Sequence, residues 1–92
     1  MTLRFAWDPE KAEANLEKHG VDFVDAAQIF GGPRLEAPDE RSDYGEIRLK
    51  TIGEHDGQVY VVVFTMRQQT IRIISAWKAG KHDRERYRQS VA

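Results

Sequence analysis

Five cationic side chains sit in or beside the strand-like half of this sequence: Arg48, Lys50, Arg67, Arg72 and Lys78. Guanidinium and ammonium groups bind phosphodiesters and offset the charge that grows on their oxygens in a transition state. RNA carries its own nucleophile, the 2′-OH. Cutting it needs a base, an acid and charge stabilisation, and no metal. Glu46 and His82 are the groups that could move a proton. Trp77 and Tyr87 offer ring faces on which a base could stack, worth ~1–3 kcal/mol per base. The catalytic candidates are therefore Arg67, Lys78, Glu46 and Arg72, and the RNA-binding candidates are Arg48, Lys50, Trp77, His82 and Tyr87. The competing view is a solvated basic face with Trp77 in the core.

Other chemistries lack their residues. His19, His55 and His82 are scattered, and none lies in an HxxxH or HExxH pattern. There is no cysteine, so there is neither a thiolate metal site nor a disulfide framework. Gly31-Gly32 is not followed by Gly-Lys-Ser/Thr, and Ser42, Ser75 and Ser90 lie in no nucleophile elbow. The expectation is an activity without metal or cofactor.

The elements that must position these residues are readable in order. Leu3, Phe5 and Trp7 alternate as a short strand. Asp8-Pro9 starts a helix that runs to His19 and stops at Gly20. Ala12, Leu16 and Asn15 form its inward stripe, and His19 is read first as a helix-end residue. Asp22 restarts a helix, with Phe23, Ala26, Ala27 and Phe30 at helical spacing, ended by Gly31-Gly32-Pro33. Residues 34–38 form a short edge strand closed by Pro38, and residues 39–43 a polar loop. Residues 46–53 form a strand, with Ile47, Leu49 and Thr51 on one face and Glu46, Arg48 and Lys50 on the other. Asp56-Gly57 marks a hairpin turn. Val59 to Met66 is the densest apolar run, filled on both faces, hence a central strand. A polar break over 67–70 leads to a last strand over 71–78 and a polar helix over 81–90. The fold class is α+β, with two helices beside an antiparallel meander of three to four strands and a C-terminal helix.

Residues 1–92 make one domain. The net charge of −1 conceals a division: residues 1–43 carry five Lys and Arg against ten Asp and Glu, and residues 44–92 carry nine against five. A basic half suits phosphates or an acidic partner. No apolar run approaches the ~18 residues of a membrane span, and the N-terminus lacks a signal-peptide core, so a cytoplasmic location is expected.

Phe5-Ala-Trp-Asp-Pro-Glu-Lys-Ala12 with Asn15, Lys18-His-Gly-Val21 and Phe23, and later Arg67 and Arg72-Ile-Ile-Ser-Ala76 followed by Lys78-Ala79, resemble the BrnT toxin family. The resemblance implies a type II toxin with a RelE-like ribonuclease fold that cleaves RNA without metal and inhibits translation. It implies a BrnA-like antitoxin with a ribbon-helix-helix DNA-binding domain, so that operator DNA is met only through the antitoxin; monomer, dimer and heterotetramer with the partner all stay open. It places functional cations at Arg67 and Lys78. Trp77 departs from the arginine that family members often carry there.

Two other functions compete. One is a non-catalytic partner-binding module acting only as co-repressor. The other is an RNA-binding accessory domain using Lys81, Arg84, Arg86 and Arg88, offset by Asp83 and Glu85.

Overall fold

The structure, a computed structural model, describes residues 3–41 and 45–91. In chain order the elements are β1 (Arg4–Ala6), α1 (Pro9–His19), α2 (Phe23–Ala27), a single 3₁₀ turn (Gln28–Gly31), β2 (Arg34–Pro38), β3 (Leu49–His55), β4 (Gln58–Arg67), β5 (Thr70–Lys78) and α3 (Lys81–Val91). Both N-terminal helices begin where a short acidic side chain can accept from an orphan backbone N–H. Asp8 accepts from the Glu10 N–H and Asp22 from the Val24 N–H, at 2.9 and 2.8 Å. Gly20 closes α1 in the left-handed conformation, its N–H on the Leu16 carbonyl.

The sheet order is β1-β5-β4-β3-β2. β2 to β5 form the expected antiparallel meander, and β1 joins β5 in parallel, making the sheet mixed. β4 is its middle strand, and Val59 and Val61 to Phe64 are buried on its two sides. Val62 and Phe64 meet α2, the 3₁₀ turn, Ile71, Ile73 and Ala76. Val59 and Val61 meet Ile52, Ala79 and Tyr87, under α3. Aromatic edges link the first layer: Phe30 contacts Phe5 and Phe64 at centroid separations of 5.5 and 5.1 Å. Gly53 lets the 3₁₀ turn approach the sheet, since a Cβ there would lie 2.8 Å from the Ile29 Cβ.

Three expectations change. Leu16 is 47 % exposed and Asn15 is the buried residue of α1. An amide sits inside because it takes over strand pairing. β1 pairs only as far as Arg72. Beyond that, the Ala76 N–H donates to Asn15 Oδ1 at 3.1 Å, and Asn15 Nδ2 donates to the Ala76 carbonyl at 2.8 Å. Second, the strand expected over 46–53 is ordered as strand only from Leu49, and Ile47 is 77 % exposed. The Ile47 carbonyl is taken by the Thr65 hydroxyl, and the Arg48 carbonyl by the Asp39 N–H, so loop and side-chain bonds replace the β-ladder there. Third, Tyr87 is buried with its hydroxyl donating to the Pro33 carbonyl. It anchors α3 and leaves no ring face for a base.

The β4–β5 turn is a two-residue loop with Gln68 and Gln69 both at positive φ, 50° and 72°. The primed turn that suits the sheet twist favours Asn-Gly at these positions; glutamine in the left-handed region is strained by about 1 kcal/mol per residue. The Gln68→Asn/Gln69→Gly double substitution is expected to stabilise the domain by about 1 kcal/mol. A urea midpoint equal to or below that of the unaltered protein would show that the turn carries no such strain.

Candidate active site

A bulge in β5 decides which side chains share a face. Val63 pairs with Ser75, but Phe64 pairs with Ile73, leaving Ile74 as the extra residue. Before the bulge Ile71 and Ile73 point to the α1–α2 side; after it Ala76 does. Arg72, Ser75 and Trp77 therefore share the opposite face, opposite Thr65, Val63 and Val61 respectively. Lys50 joins them by pairing with Val63. In a regular strand Arg72 and Trp77 would face opposite ways.

Two groups of candidate residues result. At the end of β4, Glu46 lies between two guanidiniums, 3.5 Å from Arg48 Nε and 3.5 Å from Arg67 Nη2. Arg72 is two positions along β5 from Thr70, the register partner of Arg67. An open depression of about 380 Å³ adjoins this end, lined by Glu46, Ile47, Leu49, Thr65 and Met66. One carboxylate among several cations can accept a proton while the guanidiniums meet phosphate oxygens.

The second group is at the far end of β5. An open groove of about 630 Å³ is lined by Lys18, His19, Arg41, Ser75, Trp77 and Lys78. Lys78 pairs with Tyr60 and Arg67 with Thr70, so roughly 23 Å of strand separates the two cations at ~3.3 Å per residue. The structure thus brings Glu46, Arg48 and Arg67 together but does not bring Lys78 to them. The reason is elementary: antiparallel strands put the end of one beside the start of the next. His82 is exposed in the first turn of α3 and lines neither depression. Among the described residues, no group of three or more His, Cys, Asp or Glu is placed to hold a metal ion.

The sequence reading missed Lys18, Arg41 and Asp39, and treated His19 as a helix end. Asp39 is the least obvious of these. Its side chain is 1 % exposed and receives both Arg41 Nε and Nη2 at 2.8 Å. The Arg41 hydrogen bond holds the Asp39 carboxyl below its ordinary value of 3.8 against the opposing effect of burial; the Arg41 backbone N–H and the charges of Arg41 and Lys50 assist. A depressed folded-state pKa contributes stability that is present above the unfolded value and lost as pH falls through the folded one. The stability difference between the unaltered protein and Asp39→Asn is expected to be about 1 kcal/mol, because Arg41 is largely solvated. It should be flat above about pH 5 and shrink on acidification below about pH 4. Urea titrations across pH 2.5–7 check this; a difference that grew on acidification would contradict it.

The sequence profile of a family described as ribonuclease toxin, BrnT, of type II toxin–antitoxin system matches residues 7–83. The chain belongs to this BrnT family. The match spans Trp7, Asn15, the Lys18-His19 end of α1, the whole sheet from β2 to β5 and the first residues of α3. Membership of a type II system brings with it an antitoxin partner and a ribonuclease activity. A comparison with curated proteins finds no match. No helix among the described residues is long and apolar enough to cross a membrane.

Proposed function

We propose that this BrnT-family chain is a metal-independent endoribonuclease that cuts RNA through the substrate's own 2′-OH and so inhibits translation. The ribose 2′-oxygen attacks the adjacent phosphorus and the P–O5′ bond breaks, giving a 2′,3′-cyclic phosphate and a 5′-oxyanion that takes a proton from water to leave as 5′-OH. Glu46 takes the 2′-OH proton, and Arg67 with Arg72 meets the phosphate oxygens as their charge rises. The observation that carries this mechanism is the Glu46 carboxylate held 3.5 Å from both Arg48 and Arg67 at one strand end. Carboxylate and guanidinium are the two group types that such a reaction needs side by side. Lys78 and Trp77, distant from that cluster, contribute to strand binding. A BrnA-like antitoxin with a ribbon-helix-helix domain neutralises the toxin and carries the operator-binding function of the complex.

The test is purified protein incubated with total RNA in excess EDTA. Discrete cleavage with cyclic-phosphate ends is the expected result. Intact RNA, together with unimpaired growth of antitoxin-free cells expressing the chain, would replace the nuclease with a co-repressor module.

A further inference from the structure

Arg41 belongs to the segment after β2, at one edge of the sheet, yet its guanidinium lies 5.7 Å from the ring centroid of Trp77 on β5. β3 and β4 intervene in the sheet, so this segment reaches across the face. Holding an arginine in that position requires an anchor, and Asp39 supplies one: a buried carboxylate with two 2.8 Å bonds to the guanidinium and a third, at 3.4 Å, from the Arg41 backbone N–H. A bidentate pair fixes orientation as well as position. Trp77 has a second neighbour, the His19 ring at 6.1 Å and a 40° tilt. Lys18, Ser75 and Lys78 also line the groove, and among the described residues none that lines it is acidic.

We propose that this groove is a single-nucleotide subsite for the RNA strand. A base lies against the Trp77 indole, its flanking phosphates are met by Lys18, Arg41 and Lys78, and Asp39 is the positioning residue that keeps Arg41 there. The inference rests on the ribonuclease assignment for its choice of ligand and adds the residues that would select it. An acidic peptide could use the cations but has no need of the indole; a nucleotide uses both. The 630 Å³ volume lies within the range of about 300–1,000 Å³ found for small-ligand sites.

A labelled 2′-O-methyl RNA hexamer, which lacks the internal nucleophile and stays intact, serves as probe in anisotropy titrations across a salt series. Circular dichroism confirms that each variant is folded. Arg41→Ala and Lys18→Ala should each weaken binding about 5–10-fold and each reduce the salt slope by about 0.7, the single-strand value for one phosphate contact. Trp77→Phe should keep the affinity within about threefold and Trp77→Leu lose about tenfold, the loss of one stacked base. An abasic hexamer should bind the unaltered protein about tenfold more weakly for the same reason. Asp39→Ala should reproduce the Arg41→Ala loss, and the double variant should lose no more than either alone, the sign of one shared contact.

Unchanged affinity and salt slope in both Arg41→Ala and Lys18→Ala would overturn the subsite, as would equal binding of abasic and base-bearing hexamers. Parallel cleavage assays in EDTA separate the two claims. Cleavage with groove-independent binding removes the subsite alone. Groove-dependent binding without cleavage removes the nuclease alone.

Discussion

Asn15→Ala is expected to cost about 3–4 kcal/mol of folding stability, a large share of the 5–15 kcal/mol typical of such a domain. The side chain is a neutral amide on an otherwise polar helix, but it replaces a missing strand. Its Oδ1 accepts from the Ala76 N–H, and its Nδ2 donates to the Ala76 and Val21 carbonyls. Truncation leaves these backbone groups buried without those partners, at about 1–3 kcal/mol for each group that water cannot reach. The melting temperature should fall by roughly 15–25 °C, given about 4–8 °C per kcal/mol for a chain of this size. Leu16→Ala, one residue on but 47 % exposed, should cost under about 1 kcal/mol. Asn15→Asp probes the same bonds by charge. Ionised, it can donate to neither carbonyl. Protonated, it can again donate one bond, and burial against two carbonyls favours that neutral form, so part of the loss should return as the pH is lowered and the recovery be complete by about pH 4. A Leu16→Ala cost exceeding that of Asn15→Ala would refute this account of how α1 is fastened.

The contrast between Asn15 and Leu16 shows why the fold was legible in outline but not in its fastenings. Caps, turns and the two-sided apolar run of β4 depend on neighbours in sequence, so Asp8, Gly20, Asp22, Asp56-Gly57 and Val59–Phe64 could be placed directly. Whether a polar helix residue turns inward depends on what lies opposite, here a β5 edge left open because β1 is three residues long. The site was less legible for the same reason. Arg67 and Arg72 could be recognised as cations near a strand end. That Arg72 and Trp77 share a face required the Ile74 bulge, which the run of isoleucines conceals. That Arg41 reaches Trp77 required a loop crossing two strands, and no periodicity encodes that. The pattern of a single strand likewise cannot tell that Lys78 and Arg67 end up at opposite ends of one hairpin.

Arg67→Ala should lower the rate of RNA cleavage by about 10²–10³-fold, the loss seen when one preorganised donor to a developing oxyanion is removed. The same substitution should leave stability within about 0.5 kcal/mol, because the side chain is 58 % exposed and its contact with Glu46, at 3.5 Å, is a surface pair. That combination separates a catalytic guanidinium from a structural one. Arg67→Lys keeps the charge but not the fork and should recover only part of the rate. Lys78→Ala provides the internal comparison. Lying a hairpin's length away, it should raise KM about 5–10-fold with little change in kcat, because it touches the strand equally in ground and transition states. Colony counts of antitoxin-free cells expressing each variant should follow the cleavage rates: survival with Arg67→Ala, continued arrest with Lys78→Ala. Equal kcat losses in both variants would mean that RNA draws the two ends into one reaction centre. Unchanged cleavage in Arg67→Ala would place the chemistry elsewhere, with Trp77 and its groove the next region to test.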